Sequence, residues 1–230
     1  MDSRLISITN ELLTHNMKRL PRLLILLPVT LVSVSWFSAK NPVKKTAIST
    51  TPKSRNAAPG DNTLEDKIQD KASAAKLYVK QKGFNTNIAF LIDMSLPSGQ
   101  NRFFIYDLLN DSVIASAPVA HGGGYSFSEE GLKFSNVVGS GLTSLGRYKI
   151  GKSYTGMFGY SYKLHGLDSS NNNAYERTVV LHGHSCVPET AVPGEICQSL
   201  GCPTVGPGFL EKLKKIINTS PRPILLWIYT

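Results

Sequence analysis

The chain has 230 residues, of which 41% are hydrophobic, and carries a formal net charge of +9 at pH 7. Residues 1–60 contain nine Lys and Arg against two acids, whereas residues 61–230 contain sixteen against fourteen. The excess positive charge therefore belongs to the N-terminal quarter. No basic face with interleaved aromatic residues is visible, so we expect no nucleic-acid partner.

The first 39 residues have the pattern of an export leader. An apolar run over residues 23–37 ends near the small residues Ser33-Val34-Ser35 and is preceded by Lys18, Arg19 and Arg22. Because the run is shorter than the roughly 20 residues of a membrane span, it favours a cleaved signal peptide. An uncleaved N-terminal anchor is the alternative, and it is the only membrane attachment that the sequence suggests. Met17 is an alternative start.

Residues 40–62 are rich in Lys, Pro, Ser and Thr without periodicity and predict a flexible tether. A helix then begins after Thr63, with Asp66 completing a capping box, and ends at Gly83. Strands and one short helix follow, and no internal repeat is present. The strands are predicted over 87–94, 102–108, 112–119, 146–150, 160–165, 177–182 and 223–229, and the helix over 209–217. We interpret residues 63–230 as one β-rich α+β domain.

A histidine and a cysteine stand out in this domain. The apolar run Val180-Leu181 delivers His182, and Ser199-Leu200-Gly201 delivers Cys202 twenty residues later. A thiol nucleophile and its base are commonly supplied in this way, apart in sequence and adjacent in the fold. We therefore expect the Cys202 sulfur within hydrogen-bond reach of a His182 ring nitrogen.

The surroundings of Cys202 suggest how the thiol is assisted. Gly201 allows close backbone approach, and the N–H groups of Gly201 and Cys202 are candidates for an oxyanion hole. The helix that starts near Phe209 would also favour a thiolate if it lies close enough.

The other two cysteines, Cys186 and Cys197, lie between His182 and Cys202. Pairing them in an oxidising compartment would staple this connection and leave Cys202 free. Two alternatives stay open, namely that all three are reduced or that a disulfide consumes Cys202.

A metal site is the main rival for the histidines. His182 and His184 alternate on one strand face, with Cys186 nearby, but closed zinc sites usually need four well-spaced ligands and no Cys-x-x-Cys occurs. We therefore expect no metal and no cofactor. His121 with three glycines resembles an anion-binding nest only weakly, and a mobile hairpin loop is the preferred interpretation.

Five ordered motifs make the domain resemble the exported L,D-transpeptidase (YkuD-type) family, in particular the murein L,D-transpeptidase catalytic domain branch. They are Thr143-Ser144-Leu145-Gly146-Arg147-Tyr148, Tyr162-Lys163-Leu164-His165-Gly166-Leu167, Asn172-Asn173-Ala174, Arg177 to Gly183, and Ser199 to Pro203. The resemblance implies a single mixed β-sandwich with a few short helices. Leu200 and Thr204 depart from the broader family pattern and suit the narrower branch.

The resemblance also implies roles for individual residues. Cys202 would be the nucleophile and His182 its base, while Ser199 and Gly201 would shape the nucleophile turn and oxyanion hole. Contacts with substrate are expected from Gly183, His165 and Tyr162.

The implied function is acyl transfer on peptidoglycan stem peptides in the periplasm or cell envelope. The thiolate would attack the third stem residue, D-alanine would leave, and an amine of a second stem would resolve the thioester. Two alternatives remain: a carboxypeptidase or endopeptidase that hydrolyses the same stems, and a non-catalytic module that binds the cell wall.

Overall fold

The computed structural model describes residues 63–125 and 132–230. The predicted leader and tether, residues 1–62, lie outside the described residues, and so does the suggested cleavage site. None of the helices in the described part of the chain is long and apolar enough to cross a membrane.

Two helices and nine strands form the described part of the chain. The helices are α1 (Leu64–Lys82) and α2 (Pro207–Thr219). The strands are β1 (Ile88–Asp93), β2 (Phe103–Asp107), β3 (Ser112–Ala117), β4 (Val119–Ala120), β5 (Gly146–Gly156), β6 (Gly159–Gly166), β7 (Val180–Gly183), β8 (Thr204–Val205) and β9 (Leu225–Tyr229). The β-rich α+β class predicted from the sequence is confirmed.

Helix α1 begins and ends where its local signals predict. The Thr63 hydroxyl accepts the Asp66 N–H, the Asp66 carboxylate accepts the Thr63 N–H, and Gly83 closes the helix in the left-handed region at φ 75°. The buried face, formed by Ile68, Ala72, Ala75 and Val79, packs on β1, β2 and β9. This helix therefore covers the outer face of the sheet.

The strands form one mixed sheet in the order β3-β2-β1-β9-β5-β6-β7-β8-β4. Its two edge strands, β3 and β4, are consecutive in the chain and are joined by Pro118 alone. Because neighbouring Cα atoms are about 3.8 Å apart, the two edges must come together and the sheet must curve back on itself. The sandwich is therefore built from a single curved sheet.

The main core lies inside this curve. Alternate residues of β1 point to opposite sides, so that Ala89 and Leu91 face α1 whereas Phe90 and Ile92 face the interior. The interior is completed by Tyr148, Tyr162, Leu164, Leu181 and the apolar face of α2. Strand β7 thus rests on a packed core, which fixes the position of His182.

Strand β3 differs from its prediction at its C-terminal end. It pairs with β2 only as far as Ala117, and Val119–Ala120 then pairs with β8 at the far end of the sheet. Pro118 lies at the change of partner because proline cannot donate to a strand ladder.

Candidate active site

Cys202 follows a tight turn that Ser199 closes. The Ser199 hydroxyl donates to the Cys202 carbonyl at 2.6 Å and accepts the Gly201 N–H at 3.2 Å. Gly201 has a φ of 111°, and a Cβ on the neighbouring Gly122 would collide with the Gly201 backbone. Glycine is therefore required at both positions, and Ser199 and Gly201 shape this turn.

The Cys202 sulfur is half-buried and not part of a disulfide. It accepts the Val180 N–H at 3.4 Å and lies 4.0 Å from the Thr178 carbonyl oxygen. Burial raises the pKa of the thiol, while the Val180 N–H and the charge of Arg177 act in the opposite direction. The resting group is therefore a thiol that needs a base.

His182 lies at the end of β7 with only 4% of its surface exposed. Burial lowers its pKa, partly opposed by the contact with the Gly183 carbonyl, so the ring is neutral. Nδ1 lies 3.2 Å from the Gly183 oxygen, and because a carbonyl only accepts, we assign the proton to Nδ1. Nε2 then accepts from the Thr204 hydroxyl at 2.9 Å. The Phe158 ring stacks on the imidazole with centroids 4.5 Å apart.

The expected hydrogen bond between Cys202 and His182 is not formed among the described residues. Both nitrogens of the ring are occupied, by Gly183 and by Thr204. The two side chains nevertheless line one cavity of about 410 Å³. Catalytic hydrogen bonds are often loose in an unliganded site and tighten with substrate. The prediction of direct contact is wrong for this state, whereas the shared cavity brings the two groups together.

Two other expectations about the thiol need correction. The Gly201 N–H already donates to Ser199, whereas the Cys202 N–H makes no hydrogen bond within residues 63–125 and 132–230. Of these two amides, the one of Cys202 is therefore the remaining candidate for an oxyanion hole. At the start of α2, the Glu189 carboxylate accepts the N–H groups of Gly208 and Phe209 at 2.6 and 2.9 Å. The helix terminus therefore interacts with Glu189 rather than with the thiol.

The three residues expected to contact substrate lie outside the cavity lining. Tyr162 is 1% exposed and donates to the Asn218 side chain at 2.7 Å, so it is a core residue. Gly183 packs closely against Leu210 of α2 and orients His182 through its carbonyl. His165 stacks on Tyr175 farther along β6. Substrate contact in the cavity thus does not fit these three positions.

The cavity is lined instead by residues that the sequence pattern only partly identified. They are Ala120, Tyr125, Phe158, Arg177, Thr178, His182, His184, Cys186, Cys197, Gln198, Ser199, Leu200, Cys202 and Thr204. Sequence reasoning missed Phe158 as a partner of His182, although Gly156 and Gly159 mark the hairpin tip that carries it. It noted Thr204 only as a departure from a pattern.

Arg177 connects the cysteine to the segment before β5. Its guanidinium donates to the Ser135 carbonyl at 2.7 Å, to the Ser144 hydroxyl at 3.1 Å and to the Leu142 carbonyl. These contacts fix a positive charge near Cys202, where it favours the thiolate.

Cys186 and Cys197 form a disulfide, which leaves Cys202 as the free cysteine. Both bridged residues line the cavity, so the disulfide forms part of the cavity wall. Cys186 is therefore not available as a thiolate ligand beside His184. Within the described residues, no group of three or more His, Cys, Asp and Glu side chains is arranged to hold a metal ion.

A buried polar pair beside β4 supports the turn that carries Cys202. Arg102, 1% exposed, donates to the Val119 carbonyl at 2.8 and 3.0 Å and to His121 Nδ1 at 2.9 Å. The His121 carbonyl accepts the Ser199 N–H at 2.8 Å. Burial, followed by the Arg102 charge, lowers the pKa of His121 to about 4. His121 is thus a structural residue, not part of an anion-binding nest.

Comparison with known proteins gives a family match and only distant structural likenesses. A family model described as L,D-transpeptidase catalytic domain matches residues 61–229. No curated protein matches the chain in sequence.

The solved structures that are similar to the chain include the following three. An L,D-transpeptidase (residues 123–326) from Xylanimonas cellulosilytica DSM 15894 is 13% identical, with 66% of this chain and 68% of that chain covered at a TM-score of 0.34. The helical cell shape determining protein Pgp2 (K307A mutant) from Campylobacter jejuni is 10% identical, and the match covers 70% of this chain and 55% of that chain at a TM-score of 0.39. A fused Zn-dependent amidase/peptidase/peptidoglycan-binding domain-containing protein from Clostridium acetobutylicum ATCC 824 is 12% identical, and the match covers 76% of this chain and 71% of that chain at a TM-score of 0.34. Because these TM-scores are low, the family match carries the assignment.

Proposed function

The chain belongs to the L,D-transpeptidase catalytic domain family, and from this we propose that it is a cysteine enzyme that transfers acyl groups between peptidoglycan stem peptides. The resemblance stated from the five motifs is confirmed by the match over residues 61–229. One observation carries the proposed mechanism: a free thiol on a glycine turn shares a cavity with a buried, neutral imidazole.

The first half of the reaction forms a thioester. The Cys202 proton passes to His182 Nε2, the ring nitrogen without a proton, and the sulfur attacks the carbonyl of the third stem residue. The transfer requires the Thr204 hydroxyl to release Nε2 or a water in the cavity to bridge the gap. The resulting oxyanion is within the reach of the Cys202 N–H. His182 then returns the proton to the amine of the departing D-alanine.

The second half regenerates the thiol. A side-chain amine of a second stem attacks the thioester, passes its proton to His182 and forms the 3→3 amide. The sulfur leaves as a thiolate and takes that proton back. No cofactor enters these steps, because bonds, protons and charges balance between the two stems and the two side chains.

Polar groups around the sulfur support this mechanism. The Val180 N–H and the Arg177 charge both stabilise the thiolate once it forms. Thr204 is suited to both protonation states of the ring, since its hydroxyl donates to neutral Nε2 and accepts from protonated Nε2.

The proposed place of action is the cell envelope. The basic residues before the apolar run at 23–37 support export. The disulfide between Cys186 and Cys197 is compatible with an oxidising compartment.

Analysis of muropeptide products tests the proposal. Purified full-length protein incubated with stem tetrapeptides should give 3→3 dimers and free D-alanine, and Cys202→Ala should give neither while melting like the wild type. Trimmed tripeptides without dimers would assign the hydrolase instead. Unaltered muropeptides that still bind the protein would assign a wall-binding module, and full activity of Cys202→Ala would disprove the mechanism.

A further inference from the structure

One face of the sheet continues from the active-site cavity along β6. Ser161 of β6 is the register partner of His182, and Lys163 is the partner of Val180. Because alternate residues of a strand share a face, Ser161, Lys163 and His165 lie on the same face as His182. Tyr162 and Leu164, between them, point into the core. The surface beyond His182 is therefore lined by Lys163 and His165.

Five residues form a cationic aromatic surface here, which we call the Lys163 platform: Lys149, Tyr154, Lys163, His165 and Tyr175. The Lys163 ammonium lies 5.8 Å from the centroid of the Tyr154 ring and 5.3 Å from that of Tyr175. The His165 ring stacks on Tyr175 with centroids 5.4 Å apart, and Lys149 is the cross-strand partner of His165. Both rings lie within cation–π range of the ammonium, which donates no hydrogen bond to a described residue.

The platform has no acidic partner in the described residues. The ion pairs found there join Arg147 to Asp168 and Lys214 to Glu211, so neither Lys149 nor Lys163 forms an ion pair with a described residue. Burial, followed by the charges of Lys149 and Lys163, lowers the pKa of His165. Tyr175 is 57% exposed, so the platform is open to a ligand.

The platform lies within a few residues' reach of the nucleophile. The partner of Lys163, Val180, donates its N–H to the Cys202 sulfur at 3.4 Å. Tyr175 precedes Thr178, whose carbonyl oxygen lies 4.0 Å from the same sulfur. Neighbouring strands lie about 4.8 Å apart and an extended peptide advances about 3.3 Å per residue, so a peptide held at Cys202 can place a nearby residue over β6.

We propose that the Lys163 platform binds a carboxylate of the peptide whose carbonyl Cys202 attacks. The inference rests on the proposed function, because the ligand is the substrate of the same site. Two unpaired ammonium groups match an anion, and a lysine ammonium supplies charge-assisted hydrogen bonds to carboxylate oxygens. The platform thereby selects acidic peptides over neutral ones.

Calorimetric titration of the full-length chain carrying Cys202→Ala tests this assignment without turnover. The two ligands are a four-residue peptide ending in D-alanine with its carboxylates free, and the same peptide with its carboxylates amidated. The parent should prefer the free form, and Lys163→Gln should reduce that preference about fivefold, the effect expected for a partly exposed charge pair. Lys163→Arg should retain most of it. Added salt should reduce the preference of the parent.

Lys212→Gln is the matched control. It removes an exposed lysine whose ammonium lies 5.9 Å from the Phe209 ring, but on α2 and away from the cavity lining. This variant should keep the preference of the parent. Melting temperatures of all variants should agree, so that loss of binding is not loss of fold.

The outcomes separate the two proposals. An equal preference in Lys163→Gln and its parent, or no binding of either peptide by the parent, overturns the platform. If the wild type yields no product from stem peptides but the Lys163 dependence holds, the proposed function fails and the platform stands. If product forms while binding is independent of the carboxylates, the platform alone fails.

Discussion

Two buried histidines lie on either side of the segment that carries Cys202, and their surroundings differ. His182 is 4% exposed and His121 is 7% exposed, and burial lowers the pKa of both. Each ring accepts a hydrogen bond, His182 at Nε2 from Thr204 and His121 at Nδ1 from Arg102, but of these two histidines His182 alone lines the cavity. Burial and a lowered pKa therefore do not identify a catalytic histidine. His182 differs from His121 in sharing the cavity with Cys202, and for this reason we propose it as the base.

Replacing the two histidines one at a time should separate catalysis from support. We expect His182→Gln to lower the rate of stem-peptide turnover by about 10²- to 10⁴-fold, because a general base is lost. His121→Gln should mainly lower the melting temperature. Initial rates and thermal melting of both variants measure the difference. If His182→Gln retains the wild-type rate, its assignment as the base is wrong.

The stability of the wild type should depend on pH through His121. Its pKa is about 4 in the folded chain and 6.5 in the unfolded chain. Between these values only the unfolded chain takes up the proton, so stability is complete above pH 6.5 and falls as the pH drops towards 4. The loss should approach about 3 kcal/mol at the lower end of this window.

Urea unfolding at several pH values measures this loss. In His121→Gln the free energy of unfolding should change less with pH across the same window. In His182→Gln it should keep most of the wild-type change with pH. Identical slopes in the wild type and His121→Gln would contradict the assignment.

Thr204 should matter to catalysis more than to stability. Thr204→Val removes the hydroxyl that orients Nε2, and we expect turnover to fall about fivefold, as for the loss of one hydrogen bond. Thr204→Ser keeps the hydroxyl and should restore most of the rate. The measurement is kcat for the three proteins. An unchanged or faster Thr204→Val would show that the hydroxyl does not hold the ring for proton transfer.

Phe158 should have the smallest effect. Phe158→Leu uncovers one face of the His182 ring, so less burial should let its pKa rise towards the ordinary value of 6.5. The neutral base would then be lost at a higher pH, and the acid limb of the pH–activity profile should move upwards. Profiles of wild type and variant test this, and a limb that stays or moves down would contradict it.

Local signals predicted the regular elements well. The Thr63 and Asp66 capping box and Gly83 mark both ends of α1, because each signal depends only on neighbouring residues. The pairing of Val119–Ala120 with β8 was not predictable, because two residues are too few to show the alternation of apolar and polar side chains that marks a strand. The burial of the Tyr162 side chain was not predictable either, because alternation of residues along a strand does not show which side of the strand faces the core.

The site was predictable in its chemistry and less so in its geometry. The spacing of His182 and Cys202 identified the residues that share the cavity, and the positions of Cys186 and Cys197 allowed the pairing that the structure contains. Two hydrogen-bonded contacts join residues from separate segments. Thr204 bonds to Nε2 of His182, and Glu189 bonds to the N-terminus of α2. Such contacts follow from tertiary packing rather than from motif spacing.

The one-residue link at Pro118 has a consequence for how the chain folds. Strands β1, β2 and β3 are consecutive and antiparallel, so they can pair early. Strand β4 can pair only after β8 has been synthesised, which happens much later. Contacts between distant segments are slow to form because the loop between them must be closed first. The Gly122 and Gly201 backbones meet only at that closure, so we expect the Cys202 thiol to gain its surroundings in a late folding step.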